Sequence, residues 1–332
     1  MKKNRLVLFL LFPLMLSSCS KKEYTFLEGE TMGTIYHIKY YSPEGINLKQ
    51  SIDSLLNSVN LSLSTYIPES VISKVNQAND SVQVDDMFRL VFQKSKEVWE
   101  ASSGAFDPTV MPLVNAWGFG FSKMNNVDSN LIDSLLQYVG FEKVKLHGNR
   151  LIKSNPYIML DFSAIAKGFG VDCVAELLES YHISDYMVEI GGEVRVSGLN
   201  PKGSKWNIAI EKPVENQTPD QMIDTIFAVT GLSLATSGNY RNFYYKDGVK
   251  YAHTINPKTG FPAFNDLLSA SVIAEKCIEA DAWATAFMVM GKEKSLNILK
   301  TQPNLAVFFI YKDENNKEKF YSSENLSKFL ME

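Results

Sequence analysis

Tyr186-Met-Val-Glu-Ile-Gly-Gly-Glu-Val-Arg-Val-Ser197 decides the fold class. The runs Tyr186–Ile190 and Glu193–Ser197 are rich in Val, Ile and Tyr and read as strands. Gly191-Gly192 between them permits a tight turn or a close backbone approach. So short a connection joins antiparallel neighbours, because a parallel pair needs a crossover of a dozen residues or more. Downstream, strands are expected at 206–210, 226–230, 232–236 and 243–245, then at 249–255 beyond a Lys246-Asp-Gly248 turn, and at 268–274 and 305–311, with a last edge strand near the end. Hairpin-linked strands with fewer helices predict an α+β fold of mixed, largely antiparallel sheets with packed helices, rather than a doubly wound parallel sheet.

Working back toward the start, strands at 24–27 and 35–41 flank Gly29-Glu-Thr-Met-Gly-Thr34. Leu48, Ile52, Leu55, Leu56 and Val59 recur at helical spacing and predict a helix over 47–63. A second helix over 86–102 has Asp85 or Asp86 as its N-cap and Gly104 to end it. Ala105-Phe-Asp-Pro-Thr-Val-Met-Pro-Leu-Val-Asn-Ala-Trp-Gly-Phe-Gly120 reads as an ordered ligand-binding loop or a short interrupted helix. Asp128 caps a helix that Gly140 stops, and a hairpin over 143–147 and 150–153 turns at Gly148-Asn149. A strand over 157–160 is expected to run into Asp161-Phe-Ser-Ala-Ile-Ala-Lys-Gly168 and a helix reaching about 178. No repeat or dividing linker is visible, so 24–332 reads as a single domain.

The first eighteen residues stand apart. Lys2, Lys3 and Arg5 precede the apolar run Leu6 to Leu16, which is shorter than the roughly 20 residues of a spanning helix. Leu16-Ser-Ser-Cys19 resembles a bacterial lipobox. Residues 1–18 are then a lipoprotein signal peptide, Cys19 is the lipidated residue, and 19–23 form a tether holding the protein on the cell envelope, outside the cytoplasm. Losing three leader cations takes the net charge from −4 to −7, a balance that argues against a nucleic-acid partner. With 45% hydrophobic and 12% aromatic residues the chain can build a large core. Cys173 and Cys277 sit in apolar helix-like segments and read as buried free thiols, and no Cys/His spacing suits zinc.

Three segments offer chemistry. In Asp161-x-x-Ala-x-x-Lys-Gly168, backbone N–H groups at a helix start and the Lys167 charge could hold a phosphate or pyrophosphate. Alternatively, Asp161 or Ser163 merely caps the helix and Lys167 is a solvated lysine. In His253-Thr-Ile-Asn-Pro-Lys-Thr-Gly-Phe-Pro262, one of only four histidines precedes a sound turn sequence; it is either a general base or a structural histidine. In Glu279-Ala-Asp-Ala-Trp-Ala-Thr-Ala286, Asp281 and Thr285 share a helix face and could bind a hard cation such as magnesium. The plainer reading pairs Asp281 with a lysine and turns Thr285 back on its own backbone. Tyr66 and Phe106 could sandwich a flat ring, or belong to the core.

In order along the chain, Thr31-Met-Gly-Thr34, Tyr66, Ala105-Phe-Asp-Pro108, Asp161 to Gly168, Gly191-Gly192, Ser237-Gly238, His253 to Gly260 and Asp281-Ala-Trp-Ala-Thr285 resemble the ApbE family of FAD:protein FMN transferases. The resemblance implies a T-fold-like α+β architecture with FAD in a cleft between two lobes. On the matching positions it implies FAD contacts from Met32, Tyr66, Ala105, Phe106, Asp107, Asp161, Lys167 and Ile255. It implies Mg2+ held by Asp281, Thr285 and the backbone carbonyls of Ala164 and Ala284, with His253 as base and Lys167 stabilising charge. It also implies an acceptor protein whose Thr or Ser hydroxyl receives FMN while AMP leaves, expected to be an envelope electron-transfer subunit. Glu189, two residues before Gly191, is longer than the side chain often found there in the family. Two rivals stand beside it: a magnesium-dependent FAD pyrophosphatase that keeps the site but lets water replace the acceptor, and a non-catalytic FAD-binding lipoprotein that needs the aromatic pocket but not Asp281, Thr285 or His253.

Overall fold

The first two strands set the antiparallel pattern that the whole sheet follows. β1 (Thr25–Thr31) and β2 (Thr34–Tyr40) pair in register from Thr25 opposite Tyr40 to Thr31 opposite Thr34. Met32 and Gly33 alone make the turn, both at positive φ (51° and 71°), the mirror-image geometry that matches strand twist. The first strand therefore runs four residues past its expected end at Leu27, because two residues suffice to reverse the chain. The computed structural model describes residues 22–121, 127–211, 223–239, 243–246 and 249–328. The leader, Cys19 and the tip of the turn at 246–248 lie outside the described residues.

The helices α1 (Lys49–Leu63), α2 (Val71–Gln77) and α3 (Asp86–Ala101) follow, with β3 (Ser81–Gln83) between the last two. Asp85 caps α3 by accepting the Phe88 N–H at 2.8 Å. Residues 105–120 form an interrupted helix, a 3-10 turn over Pro108–Val110 running into α4 (Met111–Ala116). Next come α5 (Ser129–Leu136), capped by Asp128, and the hairpin of β4 (Val144–His147) and β5 (Arg150–Lys153). β3 pairs with β5 to complete a small sheet.

Residues 157–160 are not a strand. Lys153 Nζ takes the carbonyls of Pro156 and Ile158, while the Asn76 side chain holds both backbone groups of Leu160. Side chains thus occupy the groups a ladder would need. The following helix, α6 (Ala166–Ser180), starts later than Asp161, because Asp161 Oδ1 accepts the Ser163 N–H in a separate turn.

The decisive hairpin forms as read, with β6 (Tyr186–Ile190) and β7 (Glu193–Ser197) antiparallel across Gly191-Gly192. β8 (Trp206–Glu211) and β9 (Ile223–Val229) make a separate hairpin, followed by β10 (Leu232–Gly238), β11 (Phe243–Lys246) and β12 (Val249–Ala252). β12 stops short of the expected 255, and Ile255 instead makes an isolated bridge to Pro262. β13 (Leu267–Ala274), α7 (Cys277–Met290), α8 (Lys292–Leu299), β14 (Ala306–Lys312) and β15 (Glu318–Ser322) close the chain.

The main sheet has eight strands in the order β1-β2-β6-β7-β10-β13-β14-β15, each antiparallel to its neighbour. Both faces are covered: α6 and α7 pack on one, and the β8–β9 hairpin drives Trp206, Ile208 and Phe227 against Val196, Leu234 and Phe308 on the other. β14 is accordingly buried without alternation from Ala306 to Ile310. Among the described residues no helix is long and apolar enough to cross a membrane.

Two buried carboxylates clamp α6 to α7. Asp172 on α6 accepts the Cys277 and Ile278 N–H groups at the start of α7, at 3.0 and 2.9 Å, and pairs with Arg195. Asp281 on α7 accepts the Gly168 N–H in the first turn of α6, at 2.9 Å. Each helix thus satisfies orphan amides of the other.

Cys173 and Cys277 are both unpaired. Burial pushes the Cys173 thiol up to about 12 and the Cys277 thiol well above its ordinary value. In a soluble form starting at Ser20, Ellman's reagent at pH 8 is expected to label neither thiol within minutes in native protein. It should label both after unfolding in guanidinium without reductant. An unfolded protein giving no signal would mean the two are bridged.

Candidate functional site

A cleft of about 420 Å³ opens between the helical layer and the ends of β7 and β10. It is lined by Tyr66, Ala105, Phe106, Asp107, Asp161, Ala164, Lys167, His253, Ile255, Asp281 and Thr285, which come from segments spread across the chain. That volume suits a ligand of cofactor size. Met32 and Ala284 are not among the lining residues. Met32 sits at the β1–β2 turn with its thioether against Gly170 of α6, and Ala284 is fully buried on α7.

The apolar wall is uneven. Phe106 is 3% exposed and part of the main core, whereas Tyr66 is 73% exposed and meets Phe121 edge-on, with ring centroids 5.0 Å apart. Tyr66 therefore remains available to a flat ring, and Phe106 supplies a fixed floor. Asp107 is buried and its Oδ1 takes both the N–H and the hydroxyl of Thr109, at 2.8 and 2.6 Å, while Oδ2 takes the Phe141 N–H. Burial raises its pKa against these bonds. Its immediate duty is to hold the loop in shape. Burial also raises Asp161, against its bond from Ser163.

The same cleft holds a polar group. Asp281 is 2% exposed, and its Oδ2 is engaged by Gly168 N–H. Gly168 is in the first turn of α6, where an amide has no carbonyl of its own helix to meet, and Ala164 lies in the turn just before it. Thr285 lies one turn further along α7, its hydroxyl 3.3 Å from Ser237 Oγ at the end of β10. Lys167 Nζ is 2.7 Å from Glu193 Oε1 and 4.0 Å from Asp281 Oδ1. Burial alone would lower the Lys167 pKa, but the two carboxylates outweigh it and hold the ammonium charged. A buried carboxylate, a hydroxyl and, from Ala164, a backbone carbonyl are hard oxygen donors, the set that suits magnesium. Among the described residues no group of three His, Cys, Asp or Glu side chains gathers that would suit a transition metal.

His253 lines the cleft just beyond β12, its ring edge-on to Phe119 at 6.4 Å between centroids. The turn after it is as the sequence suggests: Gly260 N–H bonds to the Asn256 carbonyl at 2.8 Å, and Trp117 Nε1 donates to the Gly260 carbonyl. Glu189 is fully committed elsewhere, to His37 Nδ1 and to the Gly192 N–H, both at 2.6 Å. Glu193 and Thr236 are cleft residues that the sequence reading did not single out. An acid standing directly after the Gly191-Gly192 turn, at the start of a strand, was the available signal for Glu193.

The chain belongs to the ApbE family, whose sequence pattern matches residues 32–309. It is similar to the FAD:protein FMN transferase of Vibrio cholerae, at 39% identity over 96% of each chain. A second FAD:protein FMN transferase, from Haemophilus influenzae, is 37% identical over 91% of each chain. In structure it matches the flavin transferase ApbE from Vibrio cholerae with a TM-score of 0.85, covering 93% of this chain and all of that one. The mixed α+β fold with its large antiparallel sheet and packed helices is the fold of those proteins.

Proposed function

We propose that this chain is an FAD:protein FMN transferase, moving the FMN half of FAD onto a Thr or Ser hydroxyl of an acceptor protein. The observation that carries this reading is the cleft itself. In a chain matching such enzymes along nearly its whole length, the cleft is lined both by the aromatic rings of Tyr66 and Phe106 and by Lys167, Asp281 and Thr285.

In this reading FAD lies with its flavin near Tyr66 and Phe106 and its pyrophosphate near Lys167. The acceptor oxygen forms a bond to the phosphorus of the FMN half, the bond from that phosphorus to the bridging oxygen breaks, and AMP leaves carrying the bridging oxygen. His253 takes the hydroxyl proton, and Lys167 offsets the negative charge on the phosphoryl oxygens. A magnesium ion, when bound by Asp281, Thr285 and the Ala164 carbonyl, would neutralise charge on the pyrophosphate. The remaining contacts follow the family resemblance: Met32, Ala105, Asp107, Asp161 and Ile255 toward FAD, and Ala284 toward the metal. We read 24–332 as one T-fold-like domain with the flavin between two lobes. It is tethered through lipidated Cys19 to the envelope, where an electron-transfer subunit serves as acceptor.

The test is AMP release from FAD by the soluble form, with and without magnesium and with an acceptor domain, followed by flavin fluorescence on a denaturing gel. Magnesium-dependent fluorescence on the acceptor is expected. AMP without acceptor labelling would make the protein a pyrophosphatase, and bound FAD with neither signal a carrier.

A further inference from the structure

Glu193 opens β7 immediately after the Gly191-Gly192 turn and is only 4% exposed, yet it lines the cleft. Its Oε1 holds Lys167 Nζ at 2.7 Å, while its Oε2 has no hydrogen-bond partner. Buried carboxylates are ordinarily satisfied at both oxygens, as those of Asp172 and Asp107 are. A half-satisfied buried acid is costly, which points to a task other than stability.

The task is legible from Lys167. Its ammonium sits between two carboxylates and has closed on only one of them, standing 4.0 Å from Asp281 Oδ1. A lysine on a flexible four-carbon stem would otherwise settle on Asp281 and neutralise the one buried carboxylate in the oxygen donor set. Gly168 N–H occupies the other Asp281 oxygen, so Oδ1 is the one left open.

We propose that Glu193 is a positioning residue that tethers Lys167 away from Asp281, keeping Asp281 Oδ1 open to a divalent cation and the ammonium turned toward the pyrophosphate. This rests on the cation site of the proposed function.

The experiment is a double-mutant cycle read by Mn2+ binding, using electron paramagnetic resonance of free Mn2+ in the absence of FAD. The proteins are wild type, Glu193→Ala, Lys167→Met and the pair. Losing Glu193 is expected to weaken Mn2+ binding about tenfold, since residues that share a charged network couple strongly. Removing Lys167 should change the affinity less than about threefold in wild type but recover most of the loss in the Glu193→Ala background. Should Glu193→Ala not fold, Glu193→Gln keeps the side-chain volume and enters the same cycle. A Lys167→Met effect of equal size in both backgrounds would reduce Glu193 to an added negative charge and overturn the proposal, as would wild-type affinity in the Glu193 variant. Wild-type protein that binds no Mn2+ would instead defeat the cation site itself, and Glu193's role with it.

Discussion

Replacing Asp281 by asparagine is expected to lower flavin transfer by about 10²–10³-fold while shifting the melting temperature by only a few degrees. The amide oxygen of asparagine can still accept the Gly168 N–H, so the α6–α7 clamp survives. What disappears is the negative charge, and each 1.36 kcal/mol of lost transition-state stabilisation is tenfold in rate. Charge neutralisation by a metal is worth several kcal/mol, which sets the expected range. Asp281→Ala should differ in kind. It removes the acceptor as well and leaves the Gly168 amide unsatisfied in a buried site, adding about 1–3 kcal/mol of destabilisation. Transfer rates with the acceptor protein and thermal melts of both variants separate the two duties. Full activity in Asp281→Asn would remove the carboxylate from the chemistry.

Gly168→Ala is expected to be the most destabilising single-methyl addition in the site. In most helices this change stabilises by up to about 1 kcal/mol, because glycine loses more backbone freedom on folding. Here a Cβ would lie 2.3 Å from the Cys277 carbonyl oxygen, 2.7 Å from its carbonyl carbon and 2.8 Å from Asp281 Cβ. Two of those atoms are backbone and cannot swing aside, so α6 and α7 must part. Overpacking of this kind costs about 1–3 kcal/mol and sometimes more, which for a chain of this size lowers the melting temperature by roughly 2–5 °C. Differential scanning calorimetry is the check. An unchanged transition would mean the helices stand further apart than these contacts require.

Local signals in the sequence carried most of the element assignments. The pair of strands around Gly191-Gly192 was legible in both bounds, since alternating β-rich residues on either side of a glycine turn leave little choice. Asp85 announced α3 for a similar reason, its side chain meeting an amide only three residues on. What failed was decided by partners far along the chain. The apolar run at 157–160 looked like a strand, but Asn76 and Lys153 claim its backbone. The short helix α2 has only seven residues and little apolar periodicity, and its start rests on a single Ser70 cap.

The site divides along the same line. Asp281 and Thr285 are visible as a pair because helix geometry fixes i and i+4 on one face. The setting of Lys167 is not, because Glu193 and Asp281 reach it from a strand and a helix distant in sequence. Asp107, which its motif marked as a ligand contact, does line the cleft, but its bonds to Thr109 and Phe141, the latter 34 residues away, were not legible in the sequence.

The exchange of carboxylates between α6 and α7 bears on how relatives of this chain can be sorted. On the proposed chemistry Asp281 answers to two selective pressures, since the first turn of α6 leans on it whether or not any cation binds. A lineage that abandoned flavin transfer would still be held to an acid or amide at this position by folding alone. The Thr285 hydroxyl meets only the Ser237 hydroxyl among the described residues, so once the chemistry lapsed little would prevent its drift to alanine or valine. On the proposed chemistry, threonine at 285 is therefore the better marker of a working enzyme, and an aspartate at 281 without it marks a fold that has outlived its reaction.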